Sequence, residues 1–323
     1  MDHAAVARHR AHPRRRVLGS RVLAGRRAHG VPAGADRNRP GADGSELPSQ
    51  VGGLAVSVGL VWRVVPPGLY ARRARTVVER SFLVNRRAWT AIFSGFFESF
   101  FYLFAMGVGF GGLIGQVVGP GGQPMSYAAY VAPALLAASA MNGAVYDATF
   151  NLFFKLKYAK VYDGMLATPL GPFDVAIGEI SWALIRGAIY AVGFLSVISV
   201  LGLVSSPWTI LALPVALLVS LAFAAVGMAC TTFMRSWQDF DLVQLALLPM
   251  FLFSATFYPL SVYPEGLQWI VRISPLYHAV ELMRGLTAGV IEWAMLGHLS
   301  YFVVMAVVGM IVAGRRLGKL LLS

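Results

Sequence analysis

The chain has 323 residues, of which 57% are apolar and 13% charged, and its mean hydropathy is +0.65. A water-soluble domain is about half apolar and about a quarter charged, so this composition excludes a soluble enzyme and a disordered protein alike. The net charge of +12 suits a nucleic acid or an anionic membrane, and the placement of the charges decides between them.

Residues 1–50 carry ten Arg, four acidic residues, no aromatic side chain and no periodicity. Such a segment buries no core. Residues 1–60 therefore read as a disordered Arg-rich extension, or as a start placed upstream of the native one. Arg14-Arg15-Arg16 is followed by no long apolar run, which excludes a twin-arginine leader. Residues 61–88 read as an interfacial segment. Ala74, Val77, Val78, Ser81 and Phe82 fall on one helical face, and Arg72, Arg75, Arg80, Arg86 and Arg87 on the other. That pattern predicts a helix in the headgroup plane with its apolar side down.

Six apolar stretches follow, near residues 89–114, 127–154, 175–204, 208–233, 242–260 and 297–313. Each approaches or exceeds the roughly 20 residues that span a bilayer as helix, and none shows the alternation of a barrel strand. The segment before the first stretch, the loops after the second and fourth, and the tail hold 14 basic residues. The intervening loops hold Arg272 and Arg284 alone. The asymmetry predicts both termini in the cytoplasm and six crossings. The expected fold is an all-α integral membrane protein, with residues 89–323 as its transmembrane domain.

Three motifs mislead. Gly107 to Gly112 fits G-x-G-x-x-G but lies in an apolar stretch, which excludes a dinucleotide loop. The same glycines, with Gly111 and Gly115, suit close helix packing or a flexible helix end. Gly314 to Lys319 is one residue short of a phosphate loop and lacks its Ser/Thr. Asp239 and Asp241 read as a polar turn rather than a metal motif. The lone cysteine, Cys230, forms no internal disulfide, and its apolar neighbours predict a buried, inert thiol.

Three regions carry functional signal. The loop from Lys155 to Pro172 is basic, then amphipathic, then broken by Pro169 and Pro172. It reads either as a short helix whose Val161, Met165 and Leu166 dock in a partner's groove or as a surface helix that returns the chain to the membrane. After the fifth stretch, Pro259, Pro264 and Pro275 cut the chain into short outer helices that must be buried or line a cavity. Within them Glu281 and Arg284 are three apart and suited to pair, and His278 lacks enough neighbouring ligands for a metal. Glu98 lies inside the first stretch among Phe97, Phe101 and Tyr102. A carboxylate there costs about 2.5–3.5 kcal/mol against lipid, so it should face the bundle, a partner or a polar path. Glu179 and Arg186 are expected near the cytoplasmic interface.

From about residue 69 onward the chain resembles the membrane subunit of a type-2 ABC exporter. The resemblance rests on Glu79 to Trp89, Tyr102 to Gly112, Pro133 to Asn142, Tyr162 to Leu170 with Gly178-Glu179, and Phe253 to Pro259 through Pro275 to Arg284. It is closest to permeases of nodulation-type lipo-chitooligosaccharides. The resemblance implies a coupling helix near 158–168, with Tyr158, Val161, Tyr162, Asp163, Gly164, Met165, Leu166, Thr168 and Pro169 toward an ABC ATPase subunit. It implies a connecting helix at 69–88 and re-entrant outer helices at 258–285. It also implies that the permease pairs with a second copy or a related permease, holds no cofactor, and relies on ATP and magnesium bound by the ATPase partner. The substrate would be an amphiphile exported across the inner membrane, and no nucleic acid is expected. Where the family commonly has glycine, this chain has Ala255. Rival readings are an ion-coupled secondary transporter and a membrane-embedded transferase. The first would need inverted repeats that are not seen, and the second an acidic metal motif.

Overall fold

A computed structural model describes residues 74–85, 89–167 and 170–322, with residues 89–96, 166, 321 and 322 described by backbone path alone. The expectations for residues 1–60, and for Arg72, Arg86, Arg87, Thr168 and Pro169, lie outside the described residues.

Helix α1 is Ala74–Asn85. Its apolar stripe forms as the periodicity predicts, with Ala74, Val77, Val78 and Ser81 buried. What covers the stripe differs from expectation. It packs on protein, against the helix α6 described below, rather than pointing down into lipid. The local cause is Gly178: a methyl there would stand 2.5 Å from the Val77 Cβ, so the two helices meet through a bare backbone. Phe82 and Trp182 close the seam edge to face at 6.4 Å.

The first stretch is α2 (Trp89–Phe104), a π-helical run Ala105–Phe110, and the single turn α3 (Gly111–Ile114). The misleading glycines thus lie in widened helix. Gly107 brings this helix within 3.3 Å of the Ala128 Cβ, measured from where its own Cβ would stand. Gly115, at φ 71°, ends it. The loop that follows forms a small antiparallel hairpin, β1 (Gln116–Val118) and β2 (Pro124–Ser126), with Val117 opposite Met125. Among the described residues the secondary structure is therefore helical except for one hairpin.

Helix α4 (Tyr127–Tyr146) opens with the Ser126 hydroxyl accepting from the Ala129 amide at 3.3 Å. Two π-helical turns, Asp147–Asn151 and Phe154–Tyr158, carry its path onward. It is the central element: Val131, Ala132, Ala134, Ala137 and Met141 have no exposed surface. After α5 (Val161–Leu166) come α6 (Pro172–Val200), a 3-10 turn Pro207–Leu211, and α7 (Ala212–Thr231). Cys230 lies on the exposed side of α7, which corrects the expected buried thiol. Asp239 caps its turn by accepting from the Arg235 and Ser236 amides at 2.7 and 3.1 Å, the role of a polar turn.

The fifth stretch departs most from expectation. Helix α8 (Asp239–Leu252) has 14 residues, about 21 Å, and stops inside the apolar run. Ser254, Ala255 and Thr256 follow without helix and are almost fully buried. The short helices α9 (Glu265–Ile273) and α10 (Pro275–Ala288) begin right after Pro264 and at Pro275, where a proline costs no helical hydrogen bond. Pro259 precedes a 3-10 turn, Leu260–Val262. The last helix, α11 (Ala294–Leu322), has 29 residues, well beyond the expected 297–313, and takes in Gly314 to Lys319 as ordinary helix. Among the described residues five helices are long and apolar enough to cross a membrane: 97–114, 127–158, 172–200, 207–231 and 294–320.

Candidate functional site

The loop helix α5 is short, and its largest side chain sets its orientation. Tyr162 has no exposed surface and Met165 is 8% exposed, so both turn into the bundle. Val161 is half-buried, while Asp163 and Gly164 are exposed. This corrects the expected docking face: Met165 is not offered outward, and Leu166 is described by backbone alone. The surface α5 does present is Asp163-Gly164, with Tyr158 just before it stacked on Phe154 at 5.6 Å. Lys160 enters the helix at φ 44°, a left-handed conformation that non-glycine residues adopt at a cost.

Beneath α5 two charged rungs join the descending and ascending helices. Lys155 Nζ meets Glu179 Oε2 at 2.6 Å. Deeper, Arg186 Nε donates to Asp147 Oδ2 at 2.8 Å, and the Asn151 amide donates to Asp147 Oδ1 at 2.8 Å. Arg186 lies 14 residues beyond the α6 start at Pro172, about 21 Å along the axis. It sits midway along α6 rather than at its start, and its charge is paired and hydrogen-bonded there. The signal was present in the sequence: two acidic–basic pairs, at 147/155 and 179/186, have nearly equal spacing on antiparallel segments.

Around the first rung, Tyr162 lies against Glu179. Burial and the neighbouring carboxylate push its phenol well above the usual range, and the Arg80 charge on α1 opposes that shift. Arg75, also on α1, pairs with Glu79 at 3.1 Å on the exposed side.

At the other end of α4, Arg284 is a clasp. Only 3% exposed, it donates through Nη2 to the Ala255 carbonyl at 2.9 Å and through Nε to the Tyr130 carbonyl at 3.3 Å. Its Nη1 reaches Glu281 Oε1 at 3.3 Å, and its guanidinium stands 3.8 Å over the Tyr130 ring. One side chain thus satisfies the Ala255 carbonyl in the non-helical segment after α8 and ties that segment to α4. His278 finds its partner in His298 of α11, the two Nδ1 atoms 2.6 Å apart. Sequence reasoning missed His298, since nothing local links positions twenty apart. Burial, then the His298 charge, lower the His278 pKa. Among the described residues no group of three His, Cys, Asp or Glu side chains is arranged to hold a metal.

Glu98 is exposed, which removes the bundle interior from its expected environments. Phe97 and Phe101 are exposed beside it and stacked at 5.9 Å, while Tyr102 meets Phe251 of α8 edge to face at 5.9 Å.

The ABC-2 type transporter family matches residues 72–287, which take in α1 through α10 apart from their last residue. Nodulation protein J of Rhizobium leguminosarum bv. viciae is 31% identical over 210 residues, covering 64% of this chain and 79% of the relative. Nodulation protein J of Rhizobium meliloti (strain 1021) is 28% identical over 215 residues, covering 66% and 80%. That of Bradyrhizobium diazoefficiens is 28% identical over 223 residues, covering 68% and 82%. Together with the apolar helices, these matches make the chain a multi-pass membrane permease of the ABC-2 type transporter family, on the branch that holds the nodulation J proteins.

Proposed function

We propose that the chain is the permease subunit of an ATP-driven exporter that moves an amphiphile outward across the inner membrane. The cargo class is a lipid-linked saccharide, a lipid or a hydrophobic drug. The observation that carries this reading is the family match across 72–287, which covers α1, the α5 loop and nearly all of the outer helices in one span. ATP and magnesium would be held by a separate ABC ATPase subunit docking at Tyr158, Asp163 and Gly164. A second copy or a related permease would complete the pathway. The exposed Glu98, beside Phe97 and Phe101, suits such a contact or a polar path, because a carboxylate facing lipid is costly.

Both termini would lie in the cytoplasm, in keeping with the basic residues. The fifth of six crossings would then combine α8 with the buried segment after it, its Ala255 carbonyl satisfied by Arg284. The outer helices α9 and α10 would be re-entrant.

The test is purification of the full-length permease with the ATPase expressed beside it, followed by transport of a fluorescent lipid in proteoliposomes. The expected result is copurification and transport that requires hydrolysable ATP. Transport that persists without any ATPase would overturn the reading in favour of an ion-coupled carrier.

A further inference from the structure

Four elements converge on the Glu179 carboxylate. Its Oε2 takes Lys155 at 2.6 Å, from the end of the α4 path. Its own helix, α6, touches α1 at the adjacent Gly178, where a methyl would stand 2.5 Å from the Val77 Cβ and 3.0 Å from the Ala74 carbonyl oxygen. Tyr162 of α5 lies against it, and Arg80 of α1 acts on the same phenol.

Within this junction two complementary groups stand unsatisfied. The Tyr162 hydroxyl and Glu179 Oε1 are both buried; the carboxylate is near enough to act on the phenol, yet neither atom completes a hydrogen bond of full geometry. Tyr162 has no exposed surface and Glu179 is 8% exposed. A buried donor and a buried acceptor left open beside each other are each costly, and one hydrogen bond would relieve both. Burial keeps the phenol protonated, so the donor is present at any physiological pH. Because Gly178 leaves no slack between α6 and α1, a pull on Glu179 reaches α1 as well.

We propose that Glu179 is a positioning residue that relays displacement of α5 into α6 and α1 by taking the Tyr162 hydroxyl. Lys155 holds the other carboxylate oxygen and fixes the orientation in which the free one meets the phenol. The proposal rests on the coupling role given to α5 above. It adds the path by which a push on the loop helix reaches the interfacial helix.

The test uses the full-length permease in complex with its ATPase in lipid nanodiscs, with Cys230→Ser as background. Spin-label pairs at Ala167, the residue that ends α5, and Val200 report α5, and pairs at Val84 and Val200 report α1. All three positions are exposed. With ATP and vanadate, both distances should shift in the otherwise unaltered complex. In Tyr162→Phe, which keeps the ring and removes only the hydroxyl, the α5 shift should persist while the α1 shift falls below a third of its original size. The melting temperature should not fall, because the hydroxyl removed completes no hydrogen bond in the resting state. Glu179→Leu should reproduce the loss. A packing role alone predicts that Tyr162→Phe moves α1 as before, and that result would overturn the relay. Absence of any nucleotide-dependent α5 shift in the unaltered complex would instead remove the coupling role itself, and the relay with it.

Discussion

Ala255 has φ 55°, in the left-handed region, and its carbonyl is the one Arg284 holds. An L-residue pays about 1–2 kcal/mol there, whereas glycine pays almost nothing. The resemblance had marked this position as a departure from a common glycine, and the backbone supplies the reason for that glycine. The alanine methyl has its own use, packing with Tyr263 and Val271. Ala255→Gly loses about 0.8 kcal/mol of methyl burial and relieves the strain, so it should leave stability within about 1 kcal/mol. Ala255→Val, β-branched at positive φ in a packed site, should lose about 2 kcal/mol or more by thermal unfolding in detergent. His278 gives the pH dependence at the same scale. Its folded pKa lies below the ordinary 6.5, so the unfolded chain binds more protons in the window beneath that value. Stability is complete above about 6.5 and is lost as pH falls through the folded pKa. His298, Tyr301, Tyr277, Arg272 and Glu281 face or act on this pair, and Glu281 is the acidic member. Melting temperatures should fall between pH 7.5 and 5, and His278→Gln should flatten that fall. An unchanged slope would show that other groups carry it.

At the scale of elements, helix contacts are set where side chains are missing. A Cβ on Gly309 of α11 would stand 2.9 Å from the Ala225 carbonyl carbon and from the Val226 amide nitrogen of α7. Backbone cannot give way as a flexible side chain can. Gly309→Ala gains about 1 kcal/mol of helix propensity. It should still show a net loss of about 1–3 kcal/mol, because the two helices must separate. Gly318→Ala on the same helix meets nothing within 4 Å and should be neutral or slightly stabilising, which makes it the control in the same melting assay. These contacts also show where the sequence stopped being legible. Apolar runs located the helices at 172–200, 207–231 and 294–320 within a few residues, except that the last was read short. They did not reveal the stop after Leu252. Hydropathy reports transfer into lipid and says nothing of whether the backbone has helical partners, and the partner here, Arg284, lies 32 residues further on. The α1 stripe was legible, but its cover was not, since a glycine that admits a neighbouring helix looks like any other glycine.

For the whole molecule, charge placement and family resemblance carried the reading further than any single motif. The +12 charge is divided between the N-terminal segment and a collar of basic residues, and the three motifs that resemble ligand loops or metal sites are a π-helical run, plain helix and a capped turn. The two rungs, Lys155–Glu179 and Arg186–Asp147, were present in the sequence as spacing, yet only the antiparallel register of the folded chain pairs them. The lengths of the helices have a consequence for the surrounding lipid. Helix α8 rises about 21 Å and α11 about 43 Å, against a hydrocarbon layer of about 30 Å. A bilayer in contact with both thins beside the short helix, whereas α11 reaches past the hydrocarbon with the turns that carry Arg315, Arg316 and Lys319. The resulting elastic deformation of the membrane depends on acyl-chain length, so the lipid itself becomes a load on any motion that changes the exposed height of the short helix.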